Sequence, residues 1–130
     1  MSKREQSTVM LARLVQRLAE NGVIKEDVSS DDFVSDTADQ NEVQIFCDLV
    51  DWLSGEGVVR TDGGYSGGNG DVVYELVLTS RGFWLLEQDY TTDLTLGAAI
   101  KKVSQNGAKT SGLGDFFGGM LGGFTKSISG

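Results

Sequence analysis

From residue 8 to residue 21, Val9, Met10, Leu11, Leu14, Val15 and Leu18 recur at mostly three- to four-residue spacing, with Arg13, Gln16, Arg17 and Glu20 on the other side. That pattern predicts an amphipathic helix, capped by Ser7 and closed by Asn21 and Gly22. Val23 and Ile24 predict a short extended piece. Ser29 or Ser30 is placed to cap a short helix through Asp31, Asp32, Phe33 and Val34, because acids in a first turn suit the helix dipole. The polar stretch 35–40 reads as a turn.

A second, stronger helical pattern covers 40–54, with Val43, Phe46, Leu49, Val50 and Leu53 on one face and Gln44, Asp48 and Asp51 opposite. Gly55 and Gly57 supply its stop. Residues 58–61 and 72–78 are dominated by β-branched and aromatic residues and read as two strands, separated by a glycine-rich loop. Thr79 is placed to cap a helix running through Phe83, Trp84, Leu85 and Leu86 to about residue 88. Leu94, Leu96, Ala99, Ile100 and Val103 predict a further helix over 93–103, with Lys101 and Lys102 helping its last turn and Asn106 and Gly107 ending it.

Glycine changes the picture at two places. Five of the 18 glycines crowd into 63–70, which predicts a long flexible connection. Nine fall in the last 37 residues, where Leu113, Phe116, Phe117, Met120, Leu121, Phe124 and Ile128 keep helical spacing around Gly114, Gly118, Gly119, Gly122 and Gly123. Each glycine costs a helix about 1 kcal/mol relative to alanine. Order in this tail therefore has to come from outside: a protein surface, self-association or a membrane interface, with Phe116, Phe117, Met120, Leu121 and Phe124 as the contact residues.

Charge divides the chain into three. Residues 1–25 carry a net +3, residues 26–93 hold sixteen acids against Arg60 and Arg81 for a net −14, and residues 94–130 return to +3, giving −8 in all. The middle block is either a solvated surface that aids solubility or a face aimed at a basic partner.

The 130 residues include no histidine, no proline and one cysteine, Cys47. Nucleophiles activated by histidine, histidine-ligated zinc and imidazole proton shuttles are thereby excluded. So are intramolecular disulfides and CxxC redox pairs. The 63–70 stretch lacks a GK[ST] ending and sits between strands, so it fails the context of a phosphate-binding loop. The acids at 31, 32, 36, 39 and 42 lack the spacing of an EF-hand. No cofactor, metal or small-molecule substrate is indicated. No secretory pattern opens the sequence and no apolar run is long enough for a span, so a cytoplasmic location is expected.

Two segments carry a family resemblance: Leu49-Val50-Asp51-Trp52-Leu53-Ser54-Gly55-Glu56-Gly57-Val58-Val59-Arg60 and Tyr74-Glu75-Leu76-Val77-Leu78-Thr79-Ser80-Arg81-Gly82-Phe83-Trp84-Leu85-Leu86. They resemble the winged helix-turn-helix family, in which a helix ends in Leu-x-x-x-Gly-hydrophobic-hydrophobic-Arg and a second strand closes with Leu-Thr-x-x-Gly. The resemblance covers about 7–90. It implies an α+β fold: a mainly helical winged-helix-like domain over 7–105 with a small β-hairpin wing, preceded by a polar segment 1–6 and followed by a glycine-rich amphipathic tail, 106–130.

In that family the helix before the wing is usually presented to DNA, which here implies 40–54 and the loop 62–71. Residues 26–59 contain no Lys or Arg. Acids would repel phosphates where bases should attract them. The expected function is therefore a non-enzymatic protein-interaction module or assembly subunit, binding through Gln44, Asp48, Asp51 and Trp52 and through the apolar tail. Two alternatives stand beside it: a divergent DNA-binding transcriptional regulator using Arg13, Arg17 and Arg60, and a membrane-associating protein acting through the tail.

Overall fold

The computed structural model describes residues 3–33, 40–65, 72–106 and 113. They form an α+β arrangement of four helices, a three-stranded antiparallel sheet and a two-stranded hairpin. The helices are α1 (Lys3–Asn21), α2 (Gln40–Gly55), α3 (Ser80–Leu86) and α4 (Leu96–Asn106); the strands are β1 (Glu26–Ser29), β2 (Val59–Tyr65), β3 (Val72–Leu78), β4 (Asp89–Thr91) and β5 (Leu94–Thr95). The arrangement is compatible with a winged-helix-like one. The short helix expected after Ser29 or Ser30 is here a single 3-10 turn, Ser30–Asp32, capped by Ser29.

The core draws on every layer. Leu11, Leu14, Leu18, Phe46, Leu49, Leu53, Leu76, Leu85, Leu96 and Ile100 are fully buried. α1 is more enclosed than an amphipathic surface helix, since Met10, Leu11, Ala12, Leu14 and Val15 are all buried and Arg13 alone among them faces solvent. It also starts before the predicted Ser7 cap, and Ser7 and Thr8 lie buried inside it. The extra turn has a tertiary partner: the Asn41 side-chain amide donates to Gln6 Oε1 at 3.2 Å, joining α1 to α2.

Strand β1 corrects the expectation for Val23 and Ile24, which lie exposed in the turn after α1. The strand forms two residues later because Glu26 is engaged by Arg17 and Asn21 while Val28 turns into the core beside its partner Val73. Pairing across the sheet overrides a composition that is poor in strand formers.

The sheet order is β1-β3-β2, and both outer strands break register with β3 at the same place. There Glu75 adopts φ +52°. Asp27 Oδ1 accepts the Glu75 N–H at 3.0 Å, and the Thr61 hydroxyl donates to the Tyr74 carbonyl while accepting the Gly64 N–H at 3.0 Å. Side chains thus satisfy groups that the interrupted ladder leaves over.

α2 runs to Gly55 and is stopped, as predicted, by Gly57. Its φ of +77° lets the Gly57 N–H reach the Ser54 carbonyl at 3.1 Å and the Val58 N–H reach the Leu53 carbonyl at 2.9 Å, a Schellman closure. β2 runs through Gly63 and Gly64 to Tyr65, further than expected, and the predicted loop beyond it, 66–71, lies outside the described residues, as does 34–39. Thr79 caps α3 as predicted, accepting the Gly82 N–H at 3.1 Å, but the helix ends at Leu86.

The helix predicted over 93–103 begins at Leu96. Ahead of it, Asp89 pairs with Thr95 and Thr91 with Leu94 in a hairpin. The Thr95 hydroxyl accepts the Ala98 N–H at 3.2 Å and so caps the helix, while the Leu96 N–H donates to the Gln88 carbonyl at 2.8 Å. α4 lies along α1 with Leu96, Ala99, Ile100 and Val103 inward and Lys101 and Lys102 outward. Leu113 is 1% exposed and belongs to the same core.

A candidate acidic surface on the second helix

α2 presents Gln44, Asp48 and Asp51 to solvent because Ile45, Phe46, Leu49, Val50 and Leu53 hold its other side in the core. Gln44 Nε2 donates to Asp48 Oδ1 at 2.9 Å, one turn apart on the exposed face. Trp52, 9% exposed, is part of the core cluster and not of this surface. The helical period sets Trp52 about 40° from Asp48 and about 100° from Asp51, at the border of the acidic face, and packing into the core cluster decides its burial.

A residue that sequence reasoning missed completes the surface. Tyr65, at the end of β2, lies beside Ser54 and Asp51 of α2. Burial against the helix, then the charge of Asp51, raise the phenol above its ordinary pKa, with Cys47 adding to the rise and Ser54 opposing it. The tyrosine nevertheless remains 45% exposed, giving the acidic face an aromatic flank. Its place beside the helix depends on β2 continuing past two glycines, which a propensity reading takes as loop.

The three arginines considered for DNA are distributed otherwise. Arg17 faces inward to a structural network: its Nε donates to Glu26 Oε1 at 2.8 Å, its Nη1 lies 3.2 Å from Asp32 Oδ2, and its guanidinium stands 5.4 Å over the Phe33 ring. Phe33 in turn stacks on Phe46 of α2 at 5.9 Å between centroids. Arg60 Nε donates to Asp62 Oδ1 at 3.1 Å, and Lys25 pairs with the same carboxylate. Arg13 is exposed on α1.

Among the described residues, no group of three or more His, Cys, Asp or Glu is placed to hold a metal, and no helix is long and apolar enough to cross a membrane. The tail contacts named from sequence, Phe116, Phe117, Met120, Leu121 and Phe124, lie outside the described residues. No protein-family model, curated protein or solved structure matches the chain. The class defined by fold and surface is thus a small α+β domain carrying an exposed acidic helix.

Proposed function

We propose that the chain is a non-enzymatic protein-interaction module or assembly subunit built on a winged-helix-like domain. It binds a partner with a basic surface through Gln44, Asp48 and Asp51 of α2, flanked by Tyr65, and the apolar tail is its second contact surface. The observation that supports this reading most is the charge on α2: its exposed side carries acids and no base, and two of the nearby cations, Arg17 and Arg60, are already paired with carboxylates. A duplex approaching this face would meet repulsion instead of counterion release.

The test is affinity capture from native cells with the full chain and with Asp48→Lys combined with Asp51→Lys. Loss of the captured protein with an unchanged circular dichroism spectrum is expected. Equal capture by both proteins would remove α2 from the contact. A gel shift of duplex DNA at low salt by the parent chain would favour the transcriptional regulator instead.

A further inference from the structure

The outward sides of α2 and α4 are opposite in charge. α2 packs on α1, β2 and the 3-10 turn, and α4 packs on α1, α3 and the β4–β5 hairpin. On α2, Gln44, Asp48, Asp51 and Gly55 are exposed at spacings of four, three and four residues, which makes one stripe about 16 Å long. On α4, Lys101, Lys102 and Gln105 are exposed and Ala98 is half-buried, again at helical spacing, over about 10 Å. α2 contains three acids and no base, and α4 contains two bases and no acid.

Neither stripe is neutralised from within the domain. Asp48 accepts from the Gln44 amide at 2.9 Å, and among the described residues no ion pair engages Asp48, Asp51, Lys101 or Lys102. Elsewhere the fold does pair its charges: Lys25 and Arg60 share Asp62, and Arg17 binds Glu26 and Asp32. A net charge of −8 makes two copies repel in most orientations. Setting the α2 stripe of one copy against the α4 stripe of the next replaces that repulsion by attraction. Asp48 and Asp51 stand one turn apart, about 4.5 Å along the axis, so each of the two lysines has a carboxylate to meet. A foreign partner would have to supply such a basic face, whereas this chain already contains one, always at the same concentration as the acidic one.

We propose that α2 of one copy docks on α4 of the next, with Asp48 and Asp51 meeting Lys101 and Lys102. Resting on the reading of α2 as a contact face, this names a second copy of the chain as the basic partner. The two patches differ, so the contact is heterologous: a pair of copies leaves one face of each kind free, and assembly proceeds head to tail into a ring or an open chain. Charges fix its orientation, and salt weakens it.

Sedimentation velocity of the full chain tests this over about a hundredfold range of concentration, at about 0.1 M salt and at about 1 M, where the screening length falls from about 10 Å to about 3 Å. The average mass should rise with concentration at the lower salt and return to that of the single chain at the higher. Asp48→Lys with Asp51→Lys, and separately Lys101→Glu with Lys102→Glu, should each weaken association by about tenfold or more with an unchanged circular dichroism spectrum. Each reversal moves the charge by two, so the first pair takes the net charge from −8 to −4 and the second takes it to −12. An association governed by overall repulsion would therefore strengthen in the first variant. An equimolar mixture of the two variants should associate again, because one retains both lysines and the other both aspartates. A parent chain that stays single at every concentration overturns the proposal, and so does a mixture that stays as single chains. Association that survives either reversal, or the higher salt, reports a different surface and overturns it too. Failure of the underlying reading is seen separately. A single parent chain whose captured protein is still lost with Asp48→Lys and Asp51→Lys keeps α2 as a contact face for a foreign partner, whereas equal capture removes α2 altogether.

Discussion

A Cβ placed on Gly82 would lie 2.5 Å from the carbonyl oxygen of Val58 and 2.9 Å from Leu78 Cδ2. That carbonyl also accepts the Thr79 N–H at 3.0 Å, and the Thr79 hydroxyl accepts the Gly82 N–H at 3.1 Å. The two sequence segments that carry the family resemblance therefore meet at one joint. The connection between α2 and β2 supplies Gly57 and Val58, and the strand-to-helix corner supplies Thr79 and Gly82.

Gly82→Ala tests this joint, because helix propensity and packing oppose each other there. In an open helix the change would stabilise by about 1 kcal/mol. Here the methyl group meets a backbone carbonyl that has already committed its position to Thr79, and overpacking costs about 1–3 kcal/mol. A net loss of stability is expected in urea denaturation. Thr79→Ala should lose about 1 kcal/mol through the cap, and Thr79→Ser should retain most of it.

Glu75 offers the opposite case. Strand propensity favours valine over glutamate, yet φ +52° is a conformation that β-branched side chains resist. Glu75→Val should therefore destabilise by about 1–2 kcal/mol, and Glu75→Gly should cost nothing or stabilise slightly, since the left-handed strain of about 1–2 kcal/mol offsets the added freedom of the unfolded chain. Equal losses from both substitutions in thermal melts would show that the side chain, not the backbone, matters at this point.

The Arg17 network predicts a pH response. Hydrogen bonding from Arg17, helped by the Asn21 amide and the charge of Arg17, holds the Glu26 carboxyl below its ordinary value of 4.5 despite partial burial. A folded-state pKa below the unfolded one contributes stability that is present above the unfolded value and is lost as pH falls through the folded value. The melting temperature should thus fall on acidification below about 4.5. In Glu26→Gln the parent should be more stable at pH 7, and the difference between the two should shrink as the pH drops.

How much of this was readable from the chain depends on the range of the interaction that decides each element. Helix α2, the Gly57 stop and the Thr79 cap follow from short-range patterns, and the structure places them where those patterns point. β1 does not, because Glu26 and Asp27 enter a strand only through Arg17, Asn21 and the β3 backbone. The β4–β5 hairpin was likewise hidden by an apolar spacing at Leu94 and Leu96 that fits a helix equally well. At the candidate surface, Gln44, Asp48 and Asp51 were visible as one polar helix face. Trp52 borders that face but is buried in the core, and Tyr65 was invisible because its place beside Ser54 joins residues from separate elements.

Asp51 separates a role in stability from one in binding. It stands near the C-terminal end of α2, whose last turn contains no basic residue and where the helix dipole disfavours negative charge. Asp51→Lys should accordingly stabilise the domain by about 0.3–1 kcal/mol. Removing the same charge should also lower the Tyr65 pKa toward its ordinary value, since Asp51 is one of the causes that raise it; absorbance titration of the phenol measures this against a Tyr65→Phe control. If the acidic face is a contact surface, the variant that melts higher binds its partner more weakly, and the two measurements move in opposite directions. A solvated face that serves only solubility would gain stability with no loss of capture.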